Sequence, residues 1–292
     1  MNGSPPATMM ETNSSASWLT QARCRLEPST ADAGLEAQLL LAHVIKRNRT
    51  WVLAHPETIL SENQLEQLNL LLEKRSNGIP LPYILGHWEF YNLDFVVTPD
   101  VLIPRPETEL LVEQALAWLK NHANQRRVAD VGTGSGCIAV SLAKNQPDLR
   151  LIATDLSQAA LDVARENASR HGVVDRIEWK KINLLDDYPG KLDLVVANLP
   201  YIPSATLDNL PVSKYEPRSA LDGGPDGLRF INELLRDAKR WWASGGAILL
   251  EIEAGQGESA LRLADELLPG ASITLLPDLA GLPRILKIEN SQ

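Results

Sequence analysis

Apolar residues recur at three- and four-residue spacing from Trp18 to about Arg75, the signature of helices with one buried stripe. The best-defined segment runs from Ser61 to Arg75. Ser61 and Gln64 form a capping-box pair, and Leu65, Leu68, Leu71 and Leu72 line one side. Gly78 and Pro80 end it. A second helix is predicted from about Gly34 to Ile45, with Leu35, Leu39 and Leu40 on one side. At residues 81–104 the pattern changes. In Trp88-Glu-Phe-Tyr-Asn-Leu-Asp-Phe-Val-Val, aromatic and β-branched residues flank Asn92, which predicts a hairpin. Pro99, Pro104 and Pro106 then punctuate a loop.

Beyond Pro106 short apolar runs alternate with amphipathic stretches. Helices are predicted at 107–120, 137–144, 158–170, 227–242 and 257–268. Strands are predicted at 127–131, 150–154, 177–181, 192–197, 247–252, 273–276 and 284–288. Such alternation predicts an α/β fold, a doubly wound parallel sheet with helices on both faces. No internal repeat interrupts it.

Composition changes this picture little. Of the 292 residues, 44% are hydrophobic and 22% charged, which suits a globular chain able to bury a core. Charge matters more. Residues 1–80 are nearly neutral, whereas the remainder holds 21 Lys/Arg against 29 Asp/Glu. That sign disfavours general binding to a phosphate backbone, so no direct nucleic-acid partner is expected. Cys24 and Cys137 form no CxxC pair, and His43, His55, His87, His122 and His171 lack ligand spacing, so no metal site is expected. No apolar run reaches the roughly 18 residues of a membrane span. Residues 1–16 have neither an apolar core nor an arginine, and read as a disordered tail and not a targeting signal. Met9 or Met10 is an alternative start. A cytoplasmic location is the expectation.

Candidate chemistry begins at Asp130-Val-Gly-Thr-Gly-Ser-Gly-Cys, between a strand and a helix. Glycines there let the backbone turn tightly and approach a ligand. Asp155 ends the next strand, where a carboxylate can bind both ribose hydroxyls. A nicotinamide dinucleotide is one reading. Its fingerprint, however, needs a glycine where Cys137 stands, and Asp130 would repel a pyrophosphate. An acid there would attract the ammonium of a methionine moiety, which favours S-adenosylmethionine.

The predicted strand 192–197 leads into Asn198-Leu-Pro-Tyr201. Ligands of open α/β sheets bind beyond the carboxyl ends of the strands, so this tetrad and the glycine loop would share one rim. The Asn198 carboxamide and a backbone carbonyl at Leu199 can accept from an NH₂ group. Pro200 stiffens the turn and Tyr201 offers an aromatic face. The set suits methylation of a planar, amide-like nitrogen.

With these residues in view the chain resembles the release factor glutamine methyltransferase family, also called HemK/PrmC-type protein-(glutamine-N5) methyltransferases. The resemblance rests on Pro82-Tyr-Ile-Leu-Gly-His-Trp-Glu-Phe-Tyr91, Leu102-Ile-Pro-Arg-Pro-Glu-Thr-Glu109, Asp130 to Ala139, and Tyr215-Glu-Pro-Arg-Ser-Ala-Leu-Asp-Gly-Gly-Pro-Asp-Gly-Leu228. It implies methyl transfer from S-adenosyl-L-methionine to the glutamine of the Gly-Gly-Gln motif in peptide chain release factors. It also implies a Rossmann-like class I methyltransferase domain with a mostly parallel seven-stranded sheet. The expected layout is a tail at 1–16, a helical substrate-recognition domain at 17–80, a hairpin bridge at 81–105 and a methyltransferase domain at 106–292.

By that resemblance Asn198, Leu199, Pro200 and Tyr201 hold the substrate glutamine, and Asn198, Pro200 and Tyr201 act in catalysis. Asp130, Gly132, Thr133, Gly134, Ser135, Gly136, Asp155, Asn183, Leu184 and Asn198 are the expected cofactor residues. Two positions depart from the family pattern. Leu199 stands where a second proline is usual, and Asn183 stands where an Asp is common. Asn-Leu-Pro-Tyr also occurs in enzymes that methylate adenine N6, so a nucleic-acid adenine methyltransferase is the alternative.

Overall fold

A computed structural model describes residues 13–290 of the chain. Its internal contacts divide the chain into two compact units, with the boundary after Gly86.

The first unit is helical: α1 Ser15–Leu26, α2 Ala33–Ile45, α3 Arg49–Ala54, α4 Glu62–Ser76 and α5 Leu81–Leu85. Three of these start on side-chain caps. Ser14, Asn48 and Ser61 each accept from a backbone N–H of the first turn, and Ser61 with Gln64 forms the expected capping box. Helix α1 corrects the reading of residues 13–16 as tail, because Ser14 caps a helix that starts at Ser15. The rest of that expectation lies outside the described residues. Trp18, Ala22, Leu26, Leu40, Leu41, Leu68 and Leu72 form the buried face. Leu40 is buried as expected, but Leu35 is exposed, and Ala37 and Leu41 complete the buried side of α2.

The second unit opens with a hairpin, β1 His87–Phe90 and β2 Leu93–Val96. Its two turn residues, Tyr91 and Asn92, both adopt positive φ (50° and 57°), the geometry of a tight type I′ connection. The expected bridge therefore divides. Residues 81–85 are helical and belong to the first unit, while the hairpin packs Phe90 and Phe95 into the core of the second. Asn167 clips β2 in place, accepting from the Val96 N–H (2.7 Å) and donating to its carbonyl (3.0 Å).

Seven strands follow: β3 Arg127–Val131, β4 Arg150–Asp155, β5 Ile177–Lys181, β6 Leu192–Ala197, β7 Trp242–Glu251, β8 Ser272–Pro277 and β9 Pro283–Glu289. They form one sheet in the order β5-β4-β3-β6-β7-β9-β8; β9 runs antiparallel to both β7 and β8, and the other pairs are parallel. Side chains alternate across it. Val128 and Val196 face a core built with α6 Pro106–Asn121, α7 Cys137–Asn145 and α8 Gln158–Arg170. Ala129, Val131 and Val195 face the opposite core, built with α10 Arg229–Arg236 and α12 Gly257–Leu267, while α9 is the short turn Ser204–Leu207. The expected helix 227–242 is broken into α10 and α11 Ala238–Trp241, and Trp242 already belongs to β7. The chain winds one way from β3 through β4 and the other way through β6, so a crevice opens between the carboxyl ends of β3 and β6. Among the described residues no helix is long and apolar enough to cross a membrane.

Candidate active site

Both predicted motifs meet at that crevice. The glycine loop leaves β3 with Gly132, Gly134 and Gly136 at positive φ (72°, 54° and 79°). Its N–H groups are used methodically: Gly132 and Thr133 donate to the Thr154 carbonyl, both at 2.9 Å, and Gly134 donates to Asp155 Oδ2 at 2.9 Å. Asp155 Oδ1 accepts from the Ser157 N–H (2.8 Å). This carboxylate lines the cleft, and each oxygen keeps a lone pair for a ligand hydroxyl. Burial raises its pKa against those backbone donors.

Asp130 behaves differently from its expected role. It does not line the cleft but lies fully buried beneath the loop, accepting from the Thr133 hydroxyl (2.6 Å) and the Ala139 N–H (3.0 Å). Burial pushes its carboxyl up to about 7, and Oδ1 has no partner among the described residues. Its place is that of a clasp between loop and helix α7. Gly136 is likewise structural. A Cβ there would stand 3.0 Å from the Ala164 Cβ, so the glycine lets α7 and α8 close together.

The cleft has a volume of about 830 Å³. Gly132, Thr133, Gly134, Ser135 and Asp155 line it, and so do Asn183, Leu184, Asn198, Leu199 and Pro200. Leu156 is 65% exposed there, an apolar side chain that an aromatic ring would cover. Leu184 holds a positive φ of 48°, and the Thr154 hydroxyl fixes it by donating to its carbonyl (2.9 Å). Asn183 donates to Asp186 (3.1 Å). A glycine cradle, a carboxylate with free lone pairs and apolar walls are the donor set of a nucleoside with an attached polar chain, and S-adenosylmethionine fits it.

Beside this cradle, Asn198 Nδ2 donates to the Thr108 hydroxyl of α6 (3.0 Å). That bond leaves Oδ1 as an acceptor on a residue of the cleft wall. Leu199 is buried, with Cδ2 only 3.2 Å from where a Gly132 Cβ would stand, so the tetrad and the glycine loop pack on each other. Tyr201 departs from expectation: it does not line the cleft. Its hydroxyl reaches Glu251 Oε1 at the end of β7 (3.4 Å), and its carbonyl accepts from Gln256 Nε2 (2.9 Å). Burial raises the Tyr201 hydroxyl pKa, with the Glu251 charge adding to it. Burial likewise pushes Glu251 up to about 7, opposed by the Thr108 hydroxyl and the Arg284 charge.

A strap at 215–228 encloses the tetrad. The buried Glu216 carboxylate accepts from the Ile103 N–H (3.0 Å) and pairs with Arg105. Ile202 donates to the Leu221 carbonyl and accepts from the Gly223 N–H (3.0 and 2.8 Å). A Cβ on Gly227 would stand 2.1 Å from the Tyr201 carbonyl, and one on Gly223 would stand 2.7 Å from the Pro200 carbonyl. Sequence reasoning missed Thr108, Glu216, Glu251 and Gln256 as parts of the site. Glu251 carried one signal, an acid closing an otherwise apolar strand.

Known proteins carry the same combination. A profile of the PrmC N-terminal domain matches residues 17–86, and one of the methyltransferase small domain matches 106–209. A release factor glutamine methyltransferase of Moorella thermoacetica is 44% identical over 252 residues, covering 86% of this chain and 89% of that protein. The chain belongs to the release factor glutamine methyltransferase family. A second member, from Coxiella burnetii, is 42% identical and covers 86% of this chain and 90% of its own. A methyltransferase structure from Pyrococcus furiosus shares the fold, with a TM-score of 0.50 and 16% identity over 78% of this chain and 99% of that one. Family membership makes the chain a methyltransferase.

Proposed function

We propose that the chain transfers a methyl group from S-adenosyl-L-methionine to N5 of the glutamine side chain in the Gly-Gly-Gln motif of peptide chain release factors, modulating translation termination. The observation that carries the proposal is Asn198, tied back by Thr108 at the edge of the nucleoside cradle with Oδ1 left to accept.

An amide nitrogen is a poor nucleophile because its lone pair is delocalised. Asn198 Oδ1 holds one of its N–H bonds and turns the lone pair toward the donor. Bound S-adenosylmethionine supplies an electrophilic methyl on a sulfonium and departs as S-adenosylhomocysteine. The N–C bond forms as the C–S bond breaks, and the nitrogen proton, now acidic, is lost to solvent. Alignment of this kind is worth up to roughly 7–11 kcal/mol of barrier. Leu199 and Pro200 shape the wall around the amide, while Tyr201 supports the turn from behind. Gly132, Gly134 and Asp155 hold the donor, with Leu156 and Leu184 beside its ring.

The test is incubation of purified chain, methyl-labelled donor and a bacterial release factor, followed by peptide mapping. Label on the Gly-Gly-Gln glutamine is expected. An unlabelled factor overturns the proposal, and label in an added RNA or DNA substrate would redirect it to adenine N6.

A further inference from the structure

The glycine loop holds a nucleoside but offers little to an anion. Gly132, Thr133, Gly134 and Gly136 all donate their N–H groups within the protein, to Thr154, Asp155 and Thr133. S-adenosylmethionine carries three arms on its sulfonium: the adenosyl group, the methyl, and a chain ending in an ammonium and a carboxylate. Asp155 at the end of β4 fixes the first, and Asn198 at the end of β6 marks where the second is delivered. The third is left with the wall built from the start of α6, the strap and the start of α10. That wall holds the cations of the cleft, Arg105, Arg218 and Arg229. A carboxylate leaving water needs one of them.

Two of the three are engaged already. Arg218 donates from Nε and Nη2 to Asp222 (3.0 and 2.9 Å) and from Nη1 to Asp208 (2.6 Å), which uses every edge of its fork. Arg229 donates to Glu233 (3.0 Å), lies 5.0 Å over the Phe230 ring, and has a side chain 58% exposed, where water screens its charge. Arg105 differs. Only its Nη2 is taken, by the buried carboxylate of Glu216, while Nε and Nη1 donate to no group among the described residues. The other oxygen of Glu216 accepts from the Ile103 N–H (3.0 Å), so the arginine is anchored at one corner. Its side chain is 34% exposed, the least of the three.

We propose that Arg105 binds the carboxylate of the donor's methionine chain through the free edge of its guanidinium. The inference rests on S-adenosylmethionine as the donor and is independent of the release factor as acceptor. A planar fork of N–H donors matches a carboxylate at two points, which a lysine cannot do. Glu216 balances the arginine before the ligand arrives, and the methionine chain brings its own ammonium with its carboxylate. Binding therefore leaves the local charge balanced. Glu216 belongs to the strap that encloses the tetrad, so carboxylate, Arg105 and Glu216 form one line from the donor to the substrate clamp.

The test is calorimetric binding to the full chain of two ligands, S-adenosylmethionine and its decarboxylated form, which lacks only the carboxylate. The unaltered chain should prefer the intact donor by about tenfold to a hundredfold, as for a charged hydrogen-bonded pair. Arg105→Gln should abolish that preference. Its Kd for the intact donor rises by that factor, and its Kd for the decarboxylated ligand stays within about threefold. Arg105→Lys keeps a cation without the fork and should recover only part of the preference. Arg105→Gln leaves Glu216 buried without its partner; if that variant fails to fold, the double variant Arg105→Gln/Glu216→Gln, which leaves no lone charge, should show the same loss. No preference in the unaltered chain, an unchanged preference in Arg105→Gln, or equal losses for both ligands overturns the proposal. So does a preference lost in Arg218→Gln or Arg229→Gln instead. A chain that binds neither ligand refutes the donor and the proposal together. A chain that binds the donor but labels no release factor refutes only the acceptor assigned above, and the Arg105 comparison still decides.

Discussion

Asn198 could be singled out from the chain because it follows an apolar strand and precedes Pro200, where a sheet of this type places ligands. Its partner Thr108 could not, since 90 residues separate them and only folding brings hydroxyl to carboxamide. Asn198→Ala removes the substrate acceptor but leaves the glycine loop and Asp155 intact. We expect kcat to fall by roughly 10²–10³, as for loss of one preorganised hydrogen-bonding group. The donor dissociation constant, measured by calorimetry, should stay within about threefold, a change of under 1 kcal/mol. The buried acids make a second prediction. Asp130 and Glu251 both have folded pKa values of about 7, above those of an unfolded chain. The folded state therefore binds more protons between the two values, and the stability these groups contribute is full in acid and lost as pH rises through about 7. Chemical denaturation of Glu251→Gln should show stability relative to the unaltered chain growing from acid to neutral pH, by about 1.4 kcal/mol per unit of pKa difference at most.

Among the elements, the strap at 215–228 explains why its residue types matter. Gly223 and Gly227 carry no side chain because the backbone of Pro200 and Tyr201 occupies that space. Gly227 also holds a φ of 78°. Gly227→Ala must move the strap or the tetrad, and strain of this kind costs at least about 1–3 kcal/mol. A lowered melting temperature together with reduced methylation at permissive temperature is expected, because the strap shapes the clamp. Leu199 offers a contrasting case. Its side chain packs on Gly132, so Leu199→Ala opens a void between clamp and cradle and should cost about 2–5 kcal/mol by chemical denaturation. The bounds of β3, β5 and β6 were legible to the residue, β6 as a fully buried, mostly apolar run and β5 as a half-buried edge strand. The expected helix 227–242 was not, because Trp241 and Trp242 satisfy a helical stripe and a buried strand equally well. Burial against β6 decides for β7 at Trp242.

At the scale of the molecule, the unit boundary after Gly86 gives a further prediction. A chain of residues 87–292 keeps the hairpin, the sheet and every cleft residue named here, so its affinity for the methyl donor should match the full chain within about threefold, again under 1 kcal/mol. Its methylation of a release factor should be weaker, with the loss in KM for the factor, if the helical unit recognises that partner. Equal KM values would remove that role from the first unit. What the sequence by itself determined was the kind of fold, the order of its strands along the chain, the glycine loop, Asp155 and the Asn198 tetrad. Each of these is local, set by periodicity or by residues adjacent along the backbone. Only the tertiary structure decided that Asp130 is buried beneath the loop, that Gly136 lets two helices close together, that the Tyr201 hydroxyl reaches Glu251, and that Thr108 accepts from Asn198. Those assignments depend on which side chains meet across a sheet and what is left unpaired in its interior, and burial is a property that no linear spacing carries.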